Sequence, residues 1–489
     1  MCNKRGLMAR SVVVQAIIRC AAGVVPLLSV GCLFRPEYER PVVLEEKSFR
    51  DGAASEDTIA NMKWWEIFED PYLEKLIGTA LENNRDLKVA MARIDEARGV
   101  LGFTRPDQFP RIDVSGRALR TDASDLSAFP TGLNNDFDLL GRLNFEIDIW
   151  GRYASATEAA RSQLLSTEYA YRAVTLALVA QVAQTYLRLL DVDREILIAQ
   201  RTVENRHSAT KIIEERFKGG HTAKIDLNQA QIQEQDAIAA RIVFEREQRL
   251  LENSLSVLKG DAPHAIERAA PTTNPLTLSI ERIPAGVPAM VLARRPDVRA
   301  AEESARAAVM RVGVARAQQY PALTVTGFIG LNSADSGDLF KGDARTWSIG
   351  GLALGPLFDF FKSWSRVDAA EAQADQALET YEQSVLLAVK DVEDAMVAVR
   401  TYHEEQSVRR AQVEAARSAN FLSRQRYDNG ISSFLEVLNT ETSLFEAELQ
   451  YSFTQQRYLA AIVQLYKSLG GGWELPEKAE EQVGALSQK

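Results

Sequence analysis

Between Leu139 and Ile149 the chain alternates: Leu139, Leu143, Phe145, Ile147 and Ile149 fall on one face, and Leu140, Arg142, Asn144, Glu146 and Asp148 on the other. A period of two predicts a strand over 139–149. Three further segments read as strands, at 111–120, 322–331 and 345–358. Loops rich in Asp, Ser, Gly and Asn, at 121–138 and 332–344, join them into two hairpins. Apolar outside and polar inside is what the wall of a membrane β-barrel requires, because lipid satisfies no backbone polar group. A half-buried sheet in a soluble domain shows the same alternation, so pattern alone leaves both readings open. Four strands cannot close a barrel, since the smallest need about eight. The membrane reading therefore demands several chains.

Most of the remaining sequence has a helical period. Neither Pro nor Gly occurs over 154–217 or over 362–429. Uninterrupted helices of that size are rods of ~95–100 Å, at about 1.5 Å per residue. In the second rod Val367, Ala370, Ala374, Ala377, Tyr381, Val385, Ala388, Val392, Ala395, Val399 and Tyr402 recur every three or four positions. Their mean spacing of about 3.5 is that of a left-handed coiled coil. The core of an ordinary helix bundle fits the spacing too, though not the rod length. Shorter helices are predicted over 72–104 and 288–318.

The same order of elements occurs twice. "NNRDLKVA" (83–90) matches "RRPDVRAA" (294–301), and "QFPRIDVSG" (108–116) matches "QYPALTVTG" (319–327), both at an offset of 211. "DIWGR" (148–152) aligns more weakly with "PLFDF" (356–360), at 208. "RFKGGHTAKIDLNQAQ" (216–231) matches "RYDNGISSFLEVLNTE" (426–441), at 210. Four anchors in one order at a nearly constant offset indicate a duplicated half. The first repeat spans 72–258 with its hairpin at 111–150, and the second spans 288–469 with its hairpin at 322–358. Each contains helix, hairpin, very long helix, tight turn and long helix.

Composition narrows the function classes. A hydrophobic share of 46% with 25% charged residues is that of an ordinary folded chain. Residues 1–31 carry four basic residues and no acid, so the net charge of −10 becomes −14 without them. That balance argues against nucleic acid as a partner. The basic start, the apolar run "SVVVQAIIRCAAGVVPLLSV" and the small residues before Cys32 predict a signal peptide over 1–31, with Met1 or Met8 as the start. Of Cys2, Cys20 and Cys32, only Cys32 would survive cleavage, which leaves no internal disulfide. Cys32 then reads as the acylated first residue of a lipoprotein, carrying diacylglycerol and an N-acyl chain. "LLSVGC" departs from the usual lipobox, with Ser29 where Leu is expected. Plain signal-peptidase cleavage that leaves a bare thiol is the alternative.

No catalytic constellation is legible. The four His (His207, His221, His264 and His403) lack metal-site spacing, and no nucleophile elbow, catalytic Cys or phosphate-cradling loop occurs. His221 follows Gly219-Gly220 and reads as a turn residue. "GGG" at 470–472 reads as a helix cap. Neither an enzyme nor a cofactor or metal protein is expected.

Taken together, "GCLFRPEYERP" (31–41), "WWEIFEDPYLEKLIGTALENNRDLKVA" (64–90), "FPRIDVSG" (109–116), "FEIDIWGR" (145–152), "VPAMVLARRPDVRAAE" (287–302), "YPALTVTG" (320–327) and "YKSLGGGW" (466–473) resemble the outer-membrane efflux proteins of the TolC/OprM type, specifically their NodT-like lipoprotein branch. The resemblance implies a mixed α+β, mostly α fold. Three chains would form a twelve-stranded transmembrane β-barrel, four strands from each, continued by a periplasmic α-helical coiled-coil barrel. A small equatorial domain would use 32–71, 259–287 and 470–489. It also implies a lipid-anchored homotrimer in the outer membrane of a Gram-negative bacterium, partnered by a periplasmic adaptor and an inner-membrane RND transporter. The implied role is passive export of drugs or other small molecules. A duct for type I protein secretion or metal-ion export is the close alternative, and a periplasmic coiled-coil scaffold without a pore is the distant one.

In that frame each half contributes one helix–turn–helix tip at the periplasmic end. Gly219, Gly220, Asn429 and Gly430 supply the turns and would receive the adaptor. Asp226 and Glu436 occupy matching places just beyond them. With Leu435 as an apolar constriction they form the implied gate. Asn439 stands where the family commonly has a second acid, so a weaker acidic ring is expected. Taken without the resemblance, the two acids read as favourable charge at a helix start.

Overall fold

The computed structural model describes residues 36–41, 43, 68–123, 132–270 and 295–471. Cys32, the expected signal peptide, most of 32–71 and most of the 470–489 tail lie outside these residues, as do 271–294. Two compact units are present, one within Met1–Pro41, Asp95–Ser166 and Ala301–Tyr381, the other within Val42–Ile94, Thr167–Ala300 and Glu382–Lys489.

The first unit holds the sheet. Strands β1 (Arg111–Ala123), β2 (Gly132–Ile147), β3 (Ala322–Ser333) and β4 (Arg345–Leu354) pair antiparallel in the order β1-β2-β3-β4. The register sets Val114 opposite Gly141, Gly141 opposite Ile329 and Ile329 opposite Trp347. One face therefore collects Ile112, Val114, Leu139, Leu143, Phe145, Ile147, Leu323, Val325, Ile329, Leu331, Trp347 and Ile349, because alternate residues share a face. Many of these are exposed, Ile349 by 68% and Trp347 by 73%. The opposite face carries most of the charges, although Arg120, Asp122 and Arg345 fall on the apolar side. Arg117 donates to Asp138 at 2.7 Å and also pairs with Asp136, Asn332 donates to Asp136 at 2.6 Å, and Arg142 reaches Ser115 at 3.0 Å. Leu119, Leu140, Phe328, Leu352 and Leu354 interrupt that polar face.

Four expectations need correction here, one being the return strand 345–358, which ends at Leu354 just before Gly355 and Pro356. The predicted loop 121–138 is too long, since Ala123 and Gly132 are already paired and only 124–131 lie outside the described residues. Asn134, Asn135 and Asp136 are strand residues despite their turn chemistry, because the ladder satisfies backbone groups whatever the side chain. Ile149 and Asp148 lie beyond β2, and Asp148 accepts from the Ala154 N–H at 2.8 Å as a helix cap. The weak anchor also shifts by two: helix α3 (Arg152–Lys218) and helix α6 (Lys362–Asp428) start 210 residues apart, so "DIWGR" corresponds to "FDFFK".

The two long helices have the predicted extents. Helices α3 and α6 contain 67 residues each, so each is ~100 Å long at 1.5 Å per residue. On α6 the predicted seam is buried at Val367, Ala374, Tyr381, Val385, Ala388, Val392 and Ala395, and partly buried at Ala370, Ala377, Val399 and Tyr402. In the first unit Ala374 packs on Ala308 and Val312 of helix α5 (Pro296–Ala317), with alanines permitting close approach.

The second unit contains the larger core. The predicted first helix divides into α1 (Pro71–Asn83) and α2 (Arg85–Thr104) at Asn84, whose extended ψ of 133° interrupts it. Asn84 serves both ends: its Nδ2 donates to the Leu258 carbonyl at 2.9 Å, and its Oδ1 accepts from the Leu87 N–H at 3.0 Å. Asp70 caps α1, accepting from the Tyr72 and Leu73 N–H groups, and also accepts the buried Tyr186 hydroxyl at 2.8 Å. Around that point Leu73, Ile77, Val182, Tyr186, Leu255, Ile462 and Tyr466 form a continuous core. Two further helices, α4 (Lys224–Leu258) and α7 (Phe434–Ser468), are also 210 residues apart.

Candidate functional site: the paired helix tips

The sequence places a tight turn after each long rod, and both turns are built identically. After α3, the Gly220 N–H donates to the Phe217 carbonyl at 3.0 Å and the His221 N–H to the Arg216 carbonyl at 2.8 Å. After α6, the Gly430 N–H donates to Tyr427 at 2.9 Å and the Ile431 N–H to Arg426 at 2.8 Å. This is the Schellman closure, which needs a left-handed residue at its centre. Gly220 (φ 76°) and Gly430 (φ 69°) provide it. Gly219 and Asn429 are the cap residues just before, and the Asn429 side chain donates to the Gln425 carbonyl at 2.7 Å.

Side chains then distinguish the turns. Asp226 turns back onto its own helix start, accepting from the Thr222 hydroxyl at 2.7 Å and the Ala223 N–H at 3.3 Å. Glu436 instead crosses its turn to Arg426 at 3.3 Å. The two acids thus hold matching places with different partners. Leu435 is 48% exposed, and Asn439 is exposed one turn further along.

The two tips are joined to each other. Ile213, Leu227 and Ala230 of the first hairpin bury against Phe434, Val437 and Leu438 of the second, with Tyr427 alongside. Tyr427 accepts a hydrogen bond from Arg216 at 2.8 Å, lies under that guanidinium at 5.1 Å, and contacts Phe434 at 5.4 Å between ring centroids. Farther from the turns, Arg424 pairs with the buried Glu441 at 2.5 Å, and Thr442 donates to Gln233 at 3.1 Å. Sequence reasoning missed Arg216, Arg426, Tyr427 and Phe434 as site residues. The signal was present: both repeated motifs begin with the arginine whose carbonyl closes the turn.

A second polar cluster lies along α3. Arg188 contacts Asp191 at 2.5 Å, Glu195 at 3.1 Å and Glu247 at 2.8 Å, while Ser452 donates to Asp191 at 2.5 Å. Burial alone would lower the Arg188 guanidinium, but Glu195, Asp191 and Glu247 more than offset that and hold it above its ordinary value. Burial, followed by repulsion from Asp191, pushes the Glu195 carboxyl up to about 7. Among the described residues no group of three or more His, Cys, Asp or Glu side chains is gathered to hold a metal.

Known proteins match this arrangement along nearly its whole length. The family described as "Outer membrane efflux protein" matches residues 76–261 and again 287–471. The solvent efflux pump outer membrane protein SrpC of Pseudomonas putida is 32% identical over 463 residues, 92% of this chain and 97% of that protein. The cation efflux system protein CusC of Escherichia coli O157:H7 is 30% identical over 462 residues, 92% and 98% of the respective chains. Among solved structures, the outer membrane channel CmeC of Campylobacter jejuni superposes with a TM-score of 0.85 at 25% identity, covering 92% of this chain and 98% of that one. The chain belongs to the outer membrane efflux protein family: it is a transport duct of the Gram-negative outer membrane and not an enzyme.

Proposed function

We propose that this chain is the passive exit duct of a tripartite RND-type efflux system, receiving drugs and other small molecules from an inner-membrane transporter through a periplasmic adaptor. The four-stranded sheet carries the reading. One of its faces is largely apolar and the other charged, and its order leaves β1 and β4 as edges. Lipid tolerates no unpaired strand edge. Joining β4 of one copy to β1 of the next gives a homotrimer with a closed barrel of three times four strands. The polar face, with Arg117, Asp136, Asp138 and Arg142, lines its lumen.

The long helices continue the duct into the periplasm, and the constant offset of the two halves supplies six similar tips per trimer. Gly219, Gly220, Asn429 and Gly430 form the surface offered to the adaptor. Asp226, Leu435, Glu436 and Asn439 line the gate. Arg426 beside Glu436 reduces the acidic character there, and Asn439 adds none. Cys32 carries the acyl chains that anchor the chain to outer-membrane lipid.

The relative CusC is named as a protein of a cation efflux system, which makes metal export the second reading. Purified protein in a planar bilayer is expected to give discrete single-channel steps. Absence of steps from inserted protein, with the acids neutralised as Asp226→Asn and Glu436→Gln, would contradict the duct. Deletion strains separate the cargoes: lost tolerance to solvents or antibiotics supports the drug reading, and lost tolerance to metal cations alone supports the other.

A further inference from the structure

The two halves enter their long helices through corresponding turns, and one of these turns is strained. In the first half the turn is Ile149-Trp150-Gly151, and Gly151 has φ 74°. Glycine adopts that conformation without steric cost. The corresponding residues in the second half are Asp359-Phe360-Phe361, with φ 53° at Phe360 and 67° at Phe361. A bulky residue in the left-handed region is an outlier, and here two stand in succession. The capping is otherwise alike: Ser155 and Ser365 donate backbone bonds to Gly151 and Phe361, both at 2.9 Å, and Asp359 accepts from the Ser363 N–H.

The aromatic side chains also differ in their surroundings. Trp150 is docked on protein, donating to the Pro321 carbonyl at 2.8 Å and stacking on Tyr320 at 4.8 Å. Its counterpart Phe360 is 82% exposed and Phe361 71%, and Leu357, Phe358 and Trp364 are exposed around them. Phe358 and Phe360 touch one another at 4.7 Å between ring centroids. Strain that presents five large apolar groups to solvent needs something to offset it.

We infer that the Leu357–Trp364 turn is a wedge seated in the periplasmic leaflet of the outer membrane, with phospholipid at the headgroup–acyl boundary as its ligand. The turn starts three residues after β4 ends, at the end of the strand that bears the exposed Trp347 and Ile349. In the sequence the aromatic residues are followed closely by the cationic Lys362 and Arg366, a combination suited to the interface, where rings occupy the boundary and cations meet phosphate. The first half, with glycine and a docked tryptophan, makes no such insertion. Each chain is therefore held in the leaflet at one of its two helix entries.

This inference rests on the barrel reading, and two photoprobe positions separate their failures. The full chain is made with p-benzoylphenylalanine in place of Phe360, or in place of Ile349 on the apolar sheet face. Each is reconstituted in vesicles of phosphatidylethanolamine and phosphatidylglycerol and irradiated. A phospholipid adduct at both positions is the expected result. Lipid at Ile349 with none at Phe360, or with cross-links there to another copy of the chain, would overturn the wedge alone. No lipid at either would overturn the barrel reading as well. The double change Phe360→Gly with Phe361→Gly supplies an independent readout. It should raise Tm in detergent by relieving the turn, yet slow insertion into the same vesicles severalfold. Unchanged insertion would overturn the wedge.

Discussion

The first tip (Arg216–Gln231) and the second (Arg426–Glu441) share a backbone almost bond for bond, yet they use their acids differently. Asp226 completes the start of its own helix, whereas Glu436 reaches across the turn to Arg426. The turn geometry follows from one glycine at a fixed place, and a duplicated sequence reproduces it. What the charge does depends on the reach of the side chain and on what faces it. Asp is short enough to return to a nearby N–H, while Glu extends to a side chain ten residues earlier. One tip is thus tied inside itself and the other is held by an ion pair open to water.

The comparison can be broken most severely at the core the tips share. Phe434→Ala should cost about 3–5 kcal/mol of local stability, because a buried ring leaves a cavity between hairpins. Hydrogen exchange should then rise in both tips together; a rise confined to the second would show that they are not coupled. Next come the turns. Gly220→Val and Gly430→Val should each cost about 1–3 kcal/mol, and equally, since both φ values are left-handed. Thermal unfolding measures this.

Glu195, far from both turns in sequence, is the control for electrostatics. Its folded-state value near 7 lies above the ordinary 4.5, so ionising it destabilises the fold. Stability from this group is fully present below about 4.5 and is lost as pH rises through about 7, an effect of roughly 1–3 kcal/mol. Glu195→Gln should flatten the pH dependence of Tm over that interval without altering the tips.

The smallest effects sharpen the contrast itself. Asp226→Asn keeps an accepting oxygen but removes the charge at a helix start, and should cost about 0.3–1 kcal/mol. Glu436→Gln removes a half-exposed ion pair of about 0–1 kcal/mol, and should change Tm less. Single-channel recordings should reverse that order, with cation dependence altered more by Glu436→Gln.

Much of this architecture was legible in the sequence. The rods could be bounded because Pro and Gly are absent within them, and the turns because glycine returns at a constant offset. The sheet's faces followed from alternation once the register was known. Other features were hidden for physical reasons. Asn84 is compatible with a helix, and only its bonds to Leu258 and Leu87 reveal the break. Asn134 to Asp136 look like a loop because ladder pairing does not depend on their side chains. The contact of Arg216 with Tyr427 joins residues 211 positions apart, which no local period encodes. The exposed Phe360 and Phe361 read as ordinary apolar residues until their backbone angles were known.

The most direct test of the trimeric duct is disulfide cross-linking between strand edges. Cysteines scanned in pairs along β1 and β4, beginning with Ser115→Cys and Ser348→Cys, would be oxidised in outer-membrane fractions of the otherwise unchanged chain. The account predicts a covalent ladder that ends at three chains, formed only by pairs on the two edges. Failure of every edge pair to cross-link, or a ladder that continues beyond three, would contradict it.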